Sequence, residues 1–158
     1  MSDCWVWSTS KEHFEFSFTD NLWATSSLAA TKKVKKGDQI LLYVGEALEQ
    51  GKGEFRGIFN ICGEWNENTA GPKWPQEKRY GRIKWKYQVR VEPYLTFTLK
   101  FKDAKFLPFI ARHKNAGMAV HNLGGGPANG RKPITLADMY ALKSHLFWND
   151  KKNNPNRY

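Results

Sequence analysis

Ile83-Lys84-Trp85-Lys86-Tyr87-Gln88-Val89-Arg90-Val91 is the most regular stretch of this chain, and it sets the fold class. Ile83, Trp85, Tyr87, Val89 and Val91 alternate with Lys84, Lys86, Gln88 and Arg90. A period of two puts the first set on one face of a strand and the basic set on the other. Pro93 lacks a backbone N–H and is expected to end this strand, after which Leu95, Phe97, Leu99 and Phe101 resume the alternation in a further one. Upstream, Phe55-Arg56-Gly57-Ile58-Phe59-Asn60-Ile61 reads as a strand that follows a glycine-punctuated hairpin loop over 45–53. Ile40-Leu41-Leu42-Tyr43-Val44 is short, continuous and apolar, the pattern of a strand buried on both faces, and it leaves a turn at Lys36-Gly37-Asp38. Cys4-Trp5-Val6-Trp7-Ser8 supplies a first strand that runs into the polar Ser8-Thr9-Ser10.

The segments between the strands are less regular. Residues 11–22 carry Phe14, Phe16 and Phe18 and close on the turn signal Asp20-Asn21, while Ser26 to Lys33 fits either a short helix or a loop. Residues 64–81, with Gly71-Pro72, Pro75 and two tryptophans, read as a long irregular loop; such loops in compact domains are functional or disordered, and two large aromatics argue for function. Residues 103–112 suggest a short helix interrupted at Pro108, and Gly124-Gly125-Gly126-Pro127 with Asn129-Gly130 marks another loop. Thr135 is placed as the N-cap of an amphipathic helix carrying Leu136, Met139, Tyr140, Leu142, Leu146 and Phe147, with Asp138 at the capping-box position. These elements predict an α+β domain over 1–148, a small mixed β-barrel of five to six strands with flanking helices, followed by a polar tail or linker over 149–158.

Composition narrows the partner. The 158 residues include 25 Lys and Arg against 15 acids, a net charge of +10, and 15% aromatic residues, seven of them Trp. Excess positive charge favours a polyanion, and flat bases stack on aromatic faces, so the combination points to unpaired or flipped bases in nucleic acid. No apolar run is long enough to span a membrane and no signal-peptide pattern opens the chain, so a cytoplasmic location is expected. Cys4 and Cys62 fit no zinc spacing and read as reduced thiols; no metal and no cofactor are expected.

Catalytic signatures are missing: there is no Gly-x-Ser-x-Gly, Walker loop or His-Glu-x-x-His. The triple glycine lacks the lysine and helix of a phosphate loop, and His13, His113, His121 and His145 are scattered, as surface or structural histidines are. The expectation is a binding module, not an enzyme. Basic residues cluster at Lys32, Lys33, Lys35 and Lys36, at Lys73, Lys78, Arg79 and Arg82, along Lys84, Lys86 and Arg90, and at Arg112, Lys114, Arg131 and Lys132. Converging clusters would track a phosphate backbone, whereas a single one is an ordinary solvated face. Among the tryptophans, Trp5, Trp7 and Trp85 lie in strand patterns, with at least one or two of them expected in the core, and Trp148 lies just beyond the last amphipathic positions. Trp23, Trp65 and Trp74 have no periodic reason for their places. Indoles so placed could form a cage for a modified base, whose polarised N-methyl group offers its positive edge to several π faces.

An ordered series of segments resembles the EVE and YTH domains of the PUA-like superfamily, including modified-base readers at the N-terminus of some McrB-type restriction subunits. The series comprises Trp5-Val6-Trp7-Ser8-Thr9-Ser10, Leu22-Trp23-Ala24-Thr25-Ser26, Val34-Lys35-Lys36-Gly37-Asp38-Gln39-Ile40-Leu41-Leu42-Tyr43, Phe55-Arg56-Gly57-Ile58, Gly71-Pro72-Lys73-Trp74 and the strand 81–91. The resemblance implies a PUA-like fold in which Trp23 and Trp74 wall a cage, with Trp65, or Trp7 from the first strand, as a third wall. It implies that Ser8, Thr9 and Ser10 line the base edge and that Ala24 and Thr25 meet the modified edge. Phosphate contacts would come from Lys32, Lys33, Lys73, Arg79, Arg112, Arg131 and Lys132. Where YTH domains carry asparagines that read adenine, this chain has Thr9-Ser10-Lys11-Glu12. The expected function is capture of a flipped modified base, N6-methyladenine or a modified cytosine; on DNA this is a targeting role beside an NTPase or nuclease of a restriction system, and on RNA that of an epitranscriptomic reader. A general RNA-binding PUA-like domain, a nucleotide-processing enzyme and a protein adaptor are the alternatives.

Overall fold

The computed structural model describes residues 2–45, 53–111 and 132–157. In chain order the elements are β1 (Cys4–Thr9), α1 (Lys11–Asp20), β2 (Leu22–Thr25), α2 (Leu28–Lys33), β3 (Gln39–Val44), β4 (Glu54–Ile61), β5 (Asn66–Glu67), α3 (Pro75–Tyr80), β6 (Tyr87–Lys100), α4 (Phe101–Ala104), α5 (Pro108–Ala111) and α6 (Leu136–Asn153), with a 3₁₀ turn at Pro155–Arg157. The strands form one sheet in the order β1-β3-β4-β6-β2, and β5 also pairs with β6. β1 runs parallel to β3, because α1, β2 and α2 carry the chain between them, and every other pairing is antiparallel. Although β1 and β2 stand at opposite ends of this order, the rings of Trp7 and Trp23 meet edge to face at 5.3 Å. The mixed sheet is therefore curled into a half-barrel with helices around it, the α+β architecture that the strand patterning predicts.

Alternation along the strands divides the core in two. Trp5, Trp7, Ile40, Leu42, Val44, Phe59, Val89 and Val91 pack on the side that receives Phe14, Trp23 and Val34. Val6, Leu41, Tyr43, Phe55, Ile58 and Leu99 pack on the other, against Phe109, Ile110, Met139 and Leu142 from the C-terminal helices. All of Ile40 to Val44 is buried, as its unbroken apolar run requires. The Gly37-Asp38 turn before β3 is structural: Gly37 has φ 95°, and the buried Asp38 carboxylate accepts the N–H groups of Asp3 at 3.0 Å and Lys35 at 2.9 Å and the Trp5 indole N–H at 3.3 Å.

The structure departs from the patterning in five places. The strand expected from Ile83 starts only at Tyr87, because the backbone N–H groups of Lys84 and Trp85 bond to the Glu77 carboxylate instead of to a neighbouring strand. Pro93 does not end it, and β6 continues to Lys100. The register shifts there, Ile58 facing Leu95 and Phe59 facing Pro93, and β2 pairs with β6 only over Tyr87 to Arg90, so no ladder partner awaits the missing N–H. Residues 11–20 are helical, capped by Ser10, whose Oγ accepts the His13 N–H at 3.1 Å, and closed by Asn21 at φ 54°. Within 64–81, β5 and α3 form, the latter with Pro75 in its first turn. At the C-terminal end the Thr135–Asp138 capping box is present, and α6 runs on to Asn153, into the stretch whose polarity suggested a tail. The hairpin-loop residues 46–52 and the glycine loop at 124–130 lie outside the described residues.

Candidate nucleic-acid interface

A recess of about 420 Å³ opens between the two margins of the curled sheet. From β1 and the turn after it come Trp7, Ser8, Thr9 and Ser10; from β2 and its exit come Trp23, Ala24, Thr25, Ser26 and Ser27. His13 of α1, Gln76 of α3, and Lys84 and Trp85 ahead of β6 complete the lining. Thr25 and Ser27 also serve the local backbone: Thr25 Oγ1 accepts the Ser27 N–H at 3.1 Å, and Ser27 Oγ caps α2 through the Ala30 N–H at 3.1 Å. The Trp23 indole N–H is buried and finds no acceptor among the described residues.

Glu77 builds the wall behind this recess. Its carboxylate sits at the third residue of α3 and reaches back through Oε1 to the N–H groups of Lys73 at 3.0 Å and Trp74 at 3.1 Å. Oε2 takes those of Lys84 at 2.7 Å and Trp85 at 3.0 Å. Burial alone would raise the Glu77 carboxyl, but the four N–H donors together hold it below the usual carboxylate range. His13 packs into the same aromatic cluster, face to face with Trp74 at 3.8 Å and edge-on to Trp23 at 5.1 Å and Trp85 at 4.5 Å. Burial drives its imidazole down to about 3, with Lys84 adding to the effect and Glu77 and Glu12 opposing it, so the ring is neutral near pH 7.

The residues singled out from the sequence divide clearly by position. Trp7, Trp23, Ser8, Thr9, Ser10, Ala24 and Thr25 come together at the recess, although they belong to opposite ends of the sheet. Trp74 does not line it: the indole is 1% exposed, with one face covered by His13 and with Phe16 and Trp85 against it. Trp74 and Trp23 therefore do not face each other across an open slot, since His13 contacts both. Trp65 also lies elsewhere, its indole donating to the Val34 carbonyl at 2.8 Å and its ring packed on the inner core. The recess is lined instead by Trp85, which the sequence places in a strand pattern, and by His13, whose only sequence signal is its place three residues after the capping Ser10.

The basic residues divide as well. Lys84 lines the recess, with its ammonium 5.0 Å from the Trp85 ring centroid. Arg79 is engaged away from it, both guanidinium nitrogens reaching Glu12 at 2.9 Å. Lys73 donates to the Gln88 side chain at 3.2 Å. Lys32 and Lys33 are exposed in the last turn of α2, and Lys132 is exposed near Ile134, which bridges to Cys4 at the far end of β1 from the recess. Arg112 and Arg131 lie outside the described residues. Both cysteines are free, and burial pushes the Cys4 thiol up to about 12. No cluster of metal-ligating side chains occurs among the described residues, and none of their helices is long and apolar enough to cross a membrane.

The EVE domain profile matches residues 4–125, most of the chain. The chain belongs to the EVE domain family. A comparison with curated protein sequences gave no match. Among solved structures, this EVE domain is similar to the YTH domain of Zygosaccharomyces rouxii MRB1 in complex with N6-methyladenosine RNA, at 13% identity over 90% of this chain and 85% of that one, with a TM-score of 0.56. It is likewise similar to the Pho92 YTH domain in complex with m6A, at 13% identity, 90% and 82% coverage and a TM-score of 0.58. A hypothetical protein from Leishmania major aligns at 10% identity over 98% of both chains, with a TM-score of 0.57. At these identities the likeness is one of fold.

Proposed function

We propose that this EVE domain is a non-catalytic reader that captures one extruded, modified base of a nucleic acid in the recess between β1 and β2. The observation that carries the reading is the pairing of aromatic walls (Trp7, Trp23, Trp85 and His13) with a hydroxyl-rich rim and a cation at Lys84, in a cavity of about 420 Å³. Pockets that enclose small ligands run from roughly 300 to 1,000 Å³, lined by aromatic groups with a few placed polar ones. Stacking against such walls contributes about 1–3 kcal/mol per base, enough to offset the few kcal/mol that unstacking costs. N6-methyladenine is the first base to test, because the MRB1 and Pho92 domains of similar fold hold that modification, and modified cytosine is the second. In this reading Trp74 supports His13 from behind and acts on the base only through it. A role in directing a restriction NTPase or nuclease to modified sites follows from the likeness of the sequence to McrB-type N-terminal domains.

The test is a binding panel of matched modified and plain DNA and RNA oligonucleotides at two salt concentrations. Trp85→Ala should abolish the preference for the modified strand and leave the weaker, salt-sensitive binding in place. Equal affinity of the unaltered protein for modified and plain strands would reduce the domain to a general RNA or DNA binder. Turnover of a modified nucleoside would make it an enzyme.

A further inference from the structure

A second recess adjoins the first. Gln76 and Lys84 line both, and Glu77, Tyr80, Arg82 and Ile83 complete the second, whose volume is about 420 Å³. Its shape comes from the end of α3. Gly81, at φ 69°, closes that helix in the left-handed conformation that glycine adopts without strain, so the chain doubles back and sets Arg82, Ile83 and Lys84 beside Tyr80. The turn is pinned: the N–H groups of Gly81 and Arg82 both bond to the Glu77 carbonyl, at 2.8 and 3.3 Å, and that residue's carboxylate takes the N–H of Lys84. On this fixed base stand groups with little protein to engage them. Tyr80 is 69% exposed and Ile83 is 37% exposed. Arg82 has no ion pair or side-chain hydrogen bond among the described residues, in contrast to Arg79 one turn earlier, which Glu12 neutralises.

We propose that this second recess is a subsite for the nucleotide that flanks the captured base, with the flanking base stacked on Tyr80 and the connecting phosphate between Lys84 and Arg82. The proposal rests on the base-capture reading and extends it from one nucleotide to two. An exposed aromatic ring beside two cations suits a base and its phosphate, because stacking tolerates any base and the charges need only follow the backbone. Lys84, at the boundary of the two recesses, is placed to contact the phosphate shared by the two nucleotides. The subsite adds affinity without selecting sequence.

The experiment compares two kinds of probe on the full chain. One is the free nucleosides N6-methyladenosine and 5-methylcytidine; the other is trinucleotides, in DNA and RNA, with the same modified base at the centre. Tyr80 and Arg82 are solvent-exposed, so Tyr80→Ala and Arg82→Ala should fold normally. For the trinucleotide, Tyr80→Ala should lower affinity about tenfold, in line with the loss of one stacked base, and Arg82→Ala should reduce the dependence of log K on log salt by about one. Nucleoside affinity should not change in either variant. A trinucleotide that binds the unaltered protein no more tightly than its nucleoside, or that is indifferent to both substitutions, overturns the subsite while leaving base capture intact. Failure of every nucleoside and trinucleotide to bind removes the base-capture reading and the subsite with it.

Discussion

Trp74 and Trp85 hang from one carboxylate: Glu77 Oε1 accepts the backbone N–H of Trp74 at 3.1 Å, and Oε2 accepts that of Trp85 at 3.0 Å. One side chain thus joins the N-terminus of α3, where the buried Trp74 indole sits, to the segment that carries the half-buried Trp85. Replacing it with Gln keeps the shape but turns an NH₂ group toward two of the four N–H donors it now serves. Glu77→Gln should cost about 2–4 kcal/mol of stability in urea unfolding, because two of these donors, only partly reached by water, lose a charged acceptor. With the NH₂ group in place of Oε2, Lys84 and Trp85 lose their anchor and binding of modified oligonucleotides should weaken as well.

Trp74→Ala should act on stability before it acts on recognition. The indole is fully enclosed, so its removal leaves a cavity under His13 and should cost about 3–5 kcal/mol, read as a lower urea midpoint at unchanged m-value. A Trp74→Ala protein of normal stability that no longer distinguishes modified strands would place the indole in direct contact with the base.

The pH dependence has a definite sign. His13 ionises near 6.5 when unfolded and at about 3 in the folded chain, so between those values the unfolded state binds the extra proton. Stability is complete above pH 6.5 and falls as pH drops below it, by up to about 1.4 kcal/mol per unit. Glu77, also shifted down, contributes in the same direction but only below the normal carboxylate range, so melting temperatures between pH 6.5 and 5 report chiefly on His13. His13→Phe, which stacks but does not titrate, should flatten the profile in that interval. An unchanged slope would mean that the imidazole is not enclosed in solution.

Salt titration should separate the cations. Lys84→Ala should lower the slope of log K against log salt by about one, as the loss of one phosphate contact does. Arg79→Ala should alter it far less, because its charge is already matched by Glu12. A full-unit change for Arg79 would require that pair to open on binding.

Asp38→Ala should destabilise the fold by about 3 kcal/mol without touching the recess, since it strips three donors of a buried, charged acceptor. Unfolding measurements would show a loss, and nucleoside affinity measured well below the melting temperature would not.

Much of the architecture was legible in the sequence because burial on both faces leaves continuous apolar runs. Ile40 to Val44 is such a run, and Thr135 with Asp138 announces α6 just as plainly. The candidate site was half legible. Ser8 to Ser10 and Ala24 to Thr25 could be placed at the recess through family likeness, but that Trp85 lines it and Trp74 does not could not. Alternation from Ile83 defines a buried face only where the backbone pairs as a strand, and here the N–H groups of Lys84 and Trp85 go to a carboxylate seven and eight residues earlier. No local pattern encodes that bond. His13 was hidden for a related reason: Phe14, Phe16 and Phe18 fall two apart and mask the helical spacing of the buried His13, Phe14 and Ser17.

The contact of Trp7 with Trp23 marks a seam, the line along which the first and last strands of the sheet order approach without a hydrogen-bonded ladder between them. A ligand seated there touches both borders at once and acts as a clasp. Occupancy should therefore slow amide exchange in β1 and β2 together, coupling two stretches of backbone that no main-chain bond connects.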